Sequence, residues 1–326
     1  MLSIEDNWFG YKTDRSLSLN EMNNFKKAYH LWREFLEVRK RFDVYHFNFG
    51  RSMMHYPRKM MPQLDLPFYP KESKLFVTYQ GCDARQKYPT MARTKFAACH
   101  QSGCYSGQCN SGQMDEDRRT SIDKMSKYVD HMWALNPDLL YFLPKEKSSF
   151  LPYAITPIET PEFKRAADQP FTIVHAPTDQ HYKGSKFIVD AIEKLKTKYP
   201  GKIQFNLIQN LNNQDAMAEY LKADLIVDQI LVGWYGAFAV ECMYMGKPVI
   251  ARIAEEDLHF IPSEMAKDLS QTVINANPET IESVIEELIQ DPSRLARIGR
   301  NSVDYAHRWH LPETVAQITR EKYESH

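Results

Sequence analysis

The sequence predicts an α/β protein with two domains, each built on a parallel sheet. The chain has 326 residues, about twice the size of an average domain. After residue 170, strand-like and helix-like segments alternate with short connections, which is typical of a parallel sheet covered by helices on both faces. The segment 156–163 contains two prolines and is predicted to be the linker. We therefore expect one domain over 1–155 and a second over 156–311.

The spacing of apolar residues along the chain predicts the individual helices and strands. Short apolar runs indicate strands, and apolar residues at helical spacing indicate helices. In the first half, the predicted helices are 19–42 and 115–129, and the predicted strands are 42–49, 75–80, 131–135 and 150–155. In the second half, the predicted strands are 170–176, 203–209, 224–229 and 247–251, and the predicted helices are 185–200, 215–223, 237–245, 277–290, 293–308 and 312–324.

Composition excludes several functional classes. The chain has 41 Lys and Arg against 42 Asp and Glu, without the basic excess typical of nucleic-acid binders. It contains neither G-x-G-x-x-G nor a P-loop, which argues against dinucleotide-binding oxidoreductases and P-loop NTPases. No apolar run approaches the roughly 18 residues that span a bilayer, and the acidic start differs from a signal peptide. We expect a cytoplasmic protein, and peripheral membrane contact remains open.

The segment 223–251 carries the most information about chemistry. A strand ends at Asp228 and Gln229, a glycine-containing loop follows, and a helix begins near Ala237. The unpaired amides of a helix start favour a diphosphate, and Gly236 allows the backbone to come close to it. Glu241, one turn inside the helix, can accept hydrogen bonds from ribose hydroxyls. The alternative is a plain helix cap with an exposed glutamate.

This segment resembles the nucleotide-sugar motif of glycosyltransferase family four, whose members are retaining enzymes of GT-B fold. Tyr235 stands at the position of the family's Phe, Gly236 and Glu241 match its Gly and second Glu, and 246–250 match Gly-Lys-Pro-Val-Ile. The resemblance implies two Rossmann-like domains facing a cleft, with Glu241 on the donor ribose and the amides of Gly236 and Ala237 on the diphosphate. Gly233 replaces the Glu that contacts the donor sugar in the family.

The family also has an Arg and a Lys that neutralise the diphosphate, and Lys183 matches the Lys, whereas Thr178 replaces the Arg. The alternative for Lys183 is a solvated loop lysine. In the first domain, 43–52 and 74–86 resemble acceptor-side strands of a subgroup. Gln80 replaces its active-site His. His46 is a further candidate for the cleft. The resemblance implies that the leaving diphosphate takes the acceptor proton, so a protein base is not required.

The first domain is predicted to lack the opening strand–helix–strand unit of the GT-B fold. Three explanations are open. The chain is a truncated or alternatively started product, a partner subunit or second copy completes the sheet, or the first domain is smaller than usual and has an altered function. The last helix, 312–326, is implied to cross back to the first domain.

Three cysteines follow one another at C-x4-C-x4-C, and Cys82 precedes them by seventeen residues. Thiolates at such spacing predict a structural zinc site, and the alternatives are free thiols or one disulfide formed on oxidation. The predicted ligands are Cys99, Cys104 and Cys109 with Cys82 as the fourth, and His100 or a more distant group is the alternative to Cys82.

The sequence thus predicts a retaining hexosyltransferase that uses a UDP or GDP sugar and needs no divalent metal for catalysis. Its acceptor is a hydroxyl of a sugar, lipid or polysaccharide. Lys183, Gln80 and His46 are the predicted catalytic residues. The alternative function is a non-catalytic nucleotide-sugar-binding or scaffold subunit that works with a complete transferase.

Overall fold

A computed structural model of the protein describes residues 2–3, 13–17, 19, 22–55, 63–158, 169–209, 211 and 213–325. In these ranges the chain forms one parallel sheet in each half and a two-residue parallel pairing of β1 (Leu2–Ser3) with β2 (Arg15–Ser16). Of the predicted linker 156–163, residues 159–163 lie outside the described residues. No helix among the described residues is long and apolar enough to cross a membrane.

The first sheet has four parallel strands in the order in which they occur in the chain. Its central strands are buried, as expected for a parallel sheet with both faces covered. The strands are β3 (Val44–Asn48), β4 (Lys74–Tyr79), β5 (His131–Ala134) and β6 (Ser148–Phe150), and the helices of this half are α1 (Asn24–Val38), α2 (Lys87–Arg93) and α3 (Gln113–Ser126).

The second sheet has five parallel strands in the order β11-β10-β9-β7-β8. Its strands are β7 (Phe171–His175), β8 (Ile203–Leu207), β9 (Leu225–Val227), β10 (Val249–Ala251) and β11 (Val273–Asn275). Its helices are α4 (Gln180–Lys183), α5 (Ser185–Lys198), α6 (Asn213–Leu221), α7 (Ala237–Tyr244), α8 (Ser263–Leu269), α9 (Ile281–Gln290) and α10 (Pro292–Trp309), and α11 (Pro312–Glu324) follows.

The predicted two-sheet α/β architecture is confirmed, with differences in detail. The strand predicted over 150–155 lies instead at Ser148–Phe150. Leu151 still donates to the Ala134 carbonyl, but Pro152 has no N–H and ends the pairing. The short helices α2, α4 and α8 and the strand β11 were not predicted, because elements of three to seven residues are too short to show a clear hydrophobic period.

Helix α11 packs on the first sheet although it follows the second in sequence. The Tyr323 ring lies 4.7 Å from that of Phe76 and 5.9 Å from that of Trp133, centroid to centroid. The Lys74 ammonium donates to the Tyr323 carbonyl at 3.2 Å. Helix α11 therefore ties the two halves of the chain together.

Two fully buried histidines make the fold sensitive to acid. His175 donates from Nδ1 to the Val227 carbonyl, and His310 donates from Nδ1 to the Tyr153 carbonyl, each at 2.8 Å. Burial lowers the pKa of both imidazoles to about 4. Because the unfolded chain takes up these protons near pH 6.5, stability is lost as pH falls from 6.5 toward 4.

We expect the free energy of unfolding to fall by roughly 2 kcal/mol for each of these two histidines between pH 7 and pH 5. Urea titrations at several pH values measure it. His307 is exposed, so His307→Gln serves as the control and is expected to leave the slope unchanged. A free energy that is flat over this range would contradict the neutral buried state of His175 and His310.

Candidate functional site

A buried ion pair lies between the loop after β7 and the end of β9. The Lys183 ammonium and the Asp228 carboxylate are 2.5 Å apart, and both side chains are buried. Gly184 turns the chain with φ +81°, and a Cβ there would lie 2.9 Å from side-chain carbons of Ile230 and Leu231. Only glycine fits both the left-handed conformation and this close approach. The sequence Lys-Gly thus aims Lys183 at the end of β9.

The same carboxylate lies at the start of α7. The Gly236 amide donates to Asp228 Oδ2 at 2.6 Å, and Ala237 is the first residue of the helix. The Lys183 ammonium lies 5.4 Å from the centroid of the Phe238 ring. Asp228 therefore binds both positive elements that the sequence assigns to a diphosphate, the lysine and the helix start.

Glu241 completes this group from inside α7. Its side chain is half-buried, and burial raises the pKa of the carboxyl, which Asp228 raises further and Lys183 lowers. The structure thus brings together five of the predicted site residues: Lys183, Asp228, Gly236, Ala237 and Glu241. Two carboxylates surround one ammonium, so an anionic ligand here has to compete with Asp228 for Lys183.

A loop of the first domain lies beside Tyr182, the residue before Lys183. The Gln80 and Gly81 amides donate to the Asp83 carboxylate at 2.9 and 2.6 Å, and the Gln80 carbonyl accepts from the Asn136 amide at 2.6 Å. These bonds fix the turn that follows β4. The Gln80 side chain is left half-buried at the carboxyl end of that strand.

Arg85 connects this loop to the other domain. Its guanidinium binds Asp138 with two hydrogen bonds of 2.6 and 2.9 Å, and a third bond of 3.0 Å goes to the Tyr182 hydroxyl. Tyr182 is the residue before Lys183. Such a forked, buried arginine pair is geometrically specific, so Arg85 positions the two loops relative to each other.

A pocket lies between the domains beside Tyr182. Its lining includes Gly233, Arg252 and an ion pair between the domains, Arg93 with Asp257, at 2.6 Å. Burial raises the pKa of Asp257 to about 6, although Arg93 lowers it. Sequence reasoning missed Arg93 and Asp257. The acidic run 255–257, which follows the carboxyl end of β10, is the sequence feature that could have pointed to Asp257.

Three predicted site residues lie elsewhere. His46 sits within β3 under helix α11, where its Nδ1 contacts the Tyr323 hydroxyl at 2.5 Å and its Nε2 contacts the Thr78 hydroxyl at 2.6 Å. Tyr235 is buried, and its hydroxyl bonds to Tyr305. Gln229 donates to the Trp234 carbonyl at 2.6 Å. In the structure, the contacts of these three side chains hold the fold and a loop together, and none of these contacts is with Lys183.

The four predicted zinc ligands share one small cavity but are not arranged as a metal site. In the described part of the chain, no group of three or more His, Cys, Asp or Glu side chains is placed to hold a metal ion. Burial raises the pKa of Cys99 to about 11 and that of Cys104 to about 12, so both are thiols at neutral pH. The Arg118 guanidinium donates to Cys109 Sγ at 3.6 Å. The structure does not support the zinc prediction. The residues lining the cavity are Cys82, Arg85, Lys87, Cys99, Cys104, Tyr105, Cys109 and Arg118.

Comparison with solved structures decides the fold. Sucrose-phosphate synthase from Thermosynechococcus elongatus is similar with a TM-score of 0.59 and 16% identity, over 93% of this chain and 79% of that one. HepE of Anabaena, solved with UDP-glucose, has a TM-score of 0.56 and 12% identity, over 89% and 80%. The chain has the GT-B fold.

A glycosyltransferase from Rickettsia africae is similar to this GT-B chain with a TM-score of 0.53 and 14% identity, over 95% of this chain and 84% of that one. At such identities the likeness concerns the fold alone. No protein-family model matches the sequence, and no curated protein sequence matches it.

Proposed function

We propose that the protein is a retaining glycosyltransferase of the family-four type, which transfers a hexosyl group from a nucleoside diphosphate to a hydroxyl acceptor. The observation that carries this proposal is the meeting of Lys183, the start of α7 and Glu241 at the carboxyl ends of parallel strands in a GT-B fold. Ligands of open α/β sheets bind at such ends. HepE was solved with UDP-glucose, which favours UDP over GDP.

The proposed roles follow from charge and hydrogen-bonding capacity. Glu241 accepts hydrogen bonds from the ribose hydroxyls. Lys183 and the amides at the start of α7 bind the diphosphate and stabilise the charge that develops on it as the sugar leaves. A diphosphate brings more negative charge than one carboxylate, so it displaces Asp228 as the partner of Lys183. Lysine suits this exchange because its ammonium is a mobile point charge.

The proton balance of the transfer needs no histidine. The acceptor hydroxyl attacks the anomeric carbon, the bond from that carbon to the diphosphate breaks, and the leaving diphosphate oxygen takes the acceptor proton. Gln80 can orient the acceptor by hydrogen bonds but cannot carry a proton. Lys183 and the helix start supply the positive charge, so the proposed mechanism needs no divalent metal.

The proposed activity predicts a stereochemical result. With UDP-glucose and a panel of sugar, lipid and polysaccharide acceptors, we expect a glucoside whose anomeric configuration matches that of the donor, read by proton NMR of the anomeric hydrogen. Hydrolysis of UDP-glucose to the same anomer of glucose is the expected background reaction. A product of opposite configuration would overturn the retaining assignment.

Two observations favour a second candidate, a nucleotide-sugar-binding subunit without turnover. Asp228 neutralises Lys183, and Gln80 stands where the resembling subgroup has a histidine. A subunit of this kind would bind UDP-glucose and would neither transfer nor hydrolyse it with any acceptor of the panel. A partner subunit or a second copy of the chain would then supply the catalysis.

A further inference from the structure

The pocket between the domains is lined by a buried carboxylate, Asp257, which is 1% exposed. Its Oδ1 accepts from the Arg93 guanidinium at 2.6 Å, and the Tyr141 side chain lies beside this pair. Within the described residues, Oδ2 has no hydrogen bond of good geometry. Arg93 Nε is likewise buried without a partner there. The unpartnered acceptor and the unpartnered donor thus belong to one ion pair.

Buried polar atoms are rarely left without partners, because each costs about 1–3 kcal/mol. Both residues line the same pocket. A hydroxyl group donates one hydrogen bond and accepts others, so it satisfies a carboxylate oxygen and a guanidinium N–H at once. The pair is therefore complementary to a hydroxyl.

Gly233 lies in this pocket beside Asp257. A Cβ at this position would lie 2.7 Å from Ala254 Cβ, 3.2 Å from the Arg252 guanidinium and 3.7 Å from Asp257 Oδ2. Any larger residue would push into Ala254 and Arg252. Glycine at 233 therefore lets the loop pass close to Ala254 and Arg252 beside Asp257.

The pocket adjoins the proposed diphosphate site. Tyr182, next to Lys183 in the chain, belongs to its lining, and Gly233 lies four residues before Ala237, the first residue of α7. The free space amounts to about 20 Å³, enough for one water-sized group. The recess therefore has room for one hydroxyl group.

Charge in the pocket favours a neutral ligand. Each arginine of the lining already has an acidic partner: Arg85 pairs with Asp138, Arg93 with Asp257, and Arg252 with Glu256. No excess positive charge remains among these six residues for the carboxylate of an acidic sugar. A neutral hexose matches this balance better than a hexuronic acid.

We propose that Asp257 and Arg93 bind a hydroxyl of a neutral sugar carried by the nucleoside diphosphate, and that they select the donor sugar. This inference rests on the proposed function. Asp257 accepts the hydroxyl proton through Oδ2, and Arg93 Nε donates to the hydroxyl oxygen. Both residues are specificity determinants, and neither takes part in the binding of UDP itself.

Calorimetric titrations with UDP and with UDP-glucose test the proposal. Asp257→Asn keeps an oxygen for Arg93 and replaces the acceptor Oδ2 by a donor. We expect this variant to bind UDP with unchanged affinity and UDP-glucose at least tenfold more weakly than the wild-type protein. Glu255→Gln, an exposed acid two residues away on the same segment, is the matched control and is expected to change neither affinity.

The outcomes separate the inference from the function on which it rests. If Asp257→Asn leaves the ratio of the affinities for UDP and UDP-glucose as in the wild type, the inference about Asp257 is overturned and the proposed function stands. A wild-type protein that binds neither compound overturns the proposed function and the inference with it. If Asp257→Asn melts well below the wild type, the variant Arg93→Lys tests the inference instead. Arg93→Lys keeps a positive charge beside Asp257 but lacks the Nε–H donor. It is expected to bind UDP-glucose more weakly and UDP with unchanged affinity.

Discussion

Replacing Lys183 by methionine in a protein that already carries Asp228→Asn is expected to weaken UDP binding at least 100-fold relative to Asp228→Asn alone. The physical reason is the loss of the Lys183 ammonium beside the start of α7. Two opposite charges about 4 Å apart interact by about 4 kcal/mol at an effective dielectric constant of 20, and a 100-fold loss uses only part of this. Isothermal titration with UDP measures the change.

The asparagine background is needed because Lys183 and Asp228 form a buried pair. Lys183→Met alone would leave the Asp228 carboxylate buried and unpaired, and Asp228→Asn alone leaves the ammonium without its partner; either change destabilises a protein by about 3–5 kcal/mol. Both compared variants therefore carry Asp228→Asn, and thermal melting checks that each is folded. Asp228→Asn alone retains an oxygen for the Gly236 amide and releases Lys183, so we expect it to bind UDP about tenfold more tightly than the wild type. Weaker binding by Asp228→Asn would show that the carboxylate assists the ligand rather than competing with it.

A nearby lysine provides the control for this charge change. Lys186 is exposed and pairs with Asp190 at 2.8 Å, three residues beyond Lys183. Lys186→Met is expected to leave UDP binding within twofold of the wild type. If the Lys183 and Lys186 variants lost the same amount of affinity for UDP, the effect of Lys183 would come from the overall charge of the protein and not from a contact with the diphosphate.

The second large effect is expected at Arg85. Arg85→Met removes both hydrogen bonds to Asp138 and the bond to Tyr182, and it leaves the Asp138 carboxylate buried without its cation. The cost is about 3–5 kcal/mol, which lowers the thermal midpoint by about 5 °C in a protein of this size. Scanning calorimetry measures the midpoint.

Two further variants make this result specific. Arg85→Met combined with Asp138→Leu removes both charges and is expected to recover at least half of the lost stability. Arg119 pairs with Glu116 at 2.9 Å on the exposed face of α3, so Arg119→Met is expected to shift the midpoint by less than 2 °C. A similar shift for Arg85→Met and Arg119→Met would contradict the role of Arg85 as a buried interdomain contact.

Local spacing predicted those parts of the site that lie close together in sequence. Gly236, Ala237 and Glu241 lie within one helix start, and its geometry follows from the strand–loop–helix pattern alone. Lys183 was found by its resemblance to a family motif. The ion pair of Lys183 with Asp228 joins residues 45 positions apart. It depends on the adjacency of β7 and β9, which the sequence does not reveal.

His46 and the cysteines show what the sequence does not reveal. Alternation in β3 places His46 on one face of the sheet, but the contact of its imidazole with Tyr323 of helix α11 joins residues 277 positions apart. The spacing of the cysteines along the sequence is compatible with a metal site. The structure lines one cavity with all four thiols and with arginine and lysine, without the geometry that a metal requires.

The crystal structure of the complex with UDP tests the central claim most directly. The account predicts the diphosphate within hydrogen-bond distance of Lys183 Nζ and of the amides at the start of α7, with the ribose hydroxyls on Glu241. It also predicts that Lys183 has moved from Asp228 to the diphosphate. UDP bound elsewhere on the protein, or bound in the cleft with the Lys183–Asp228 pair unchanged, would contradict the account.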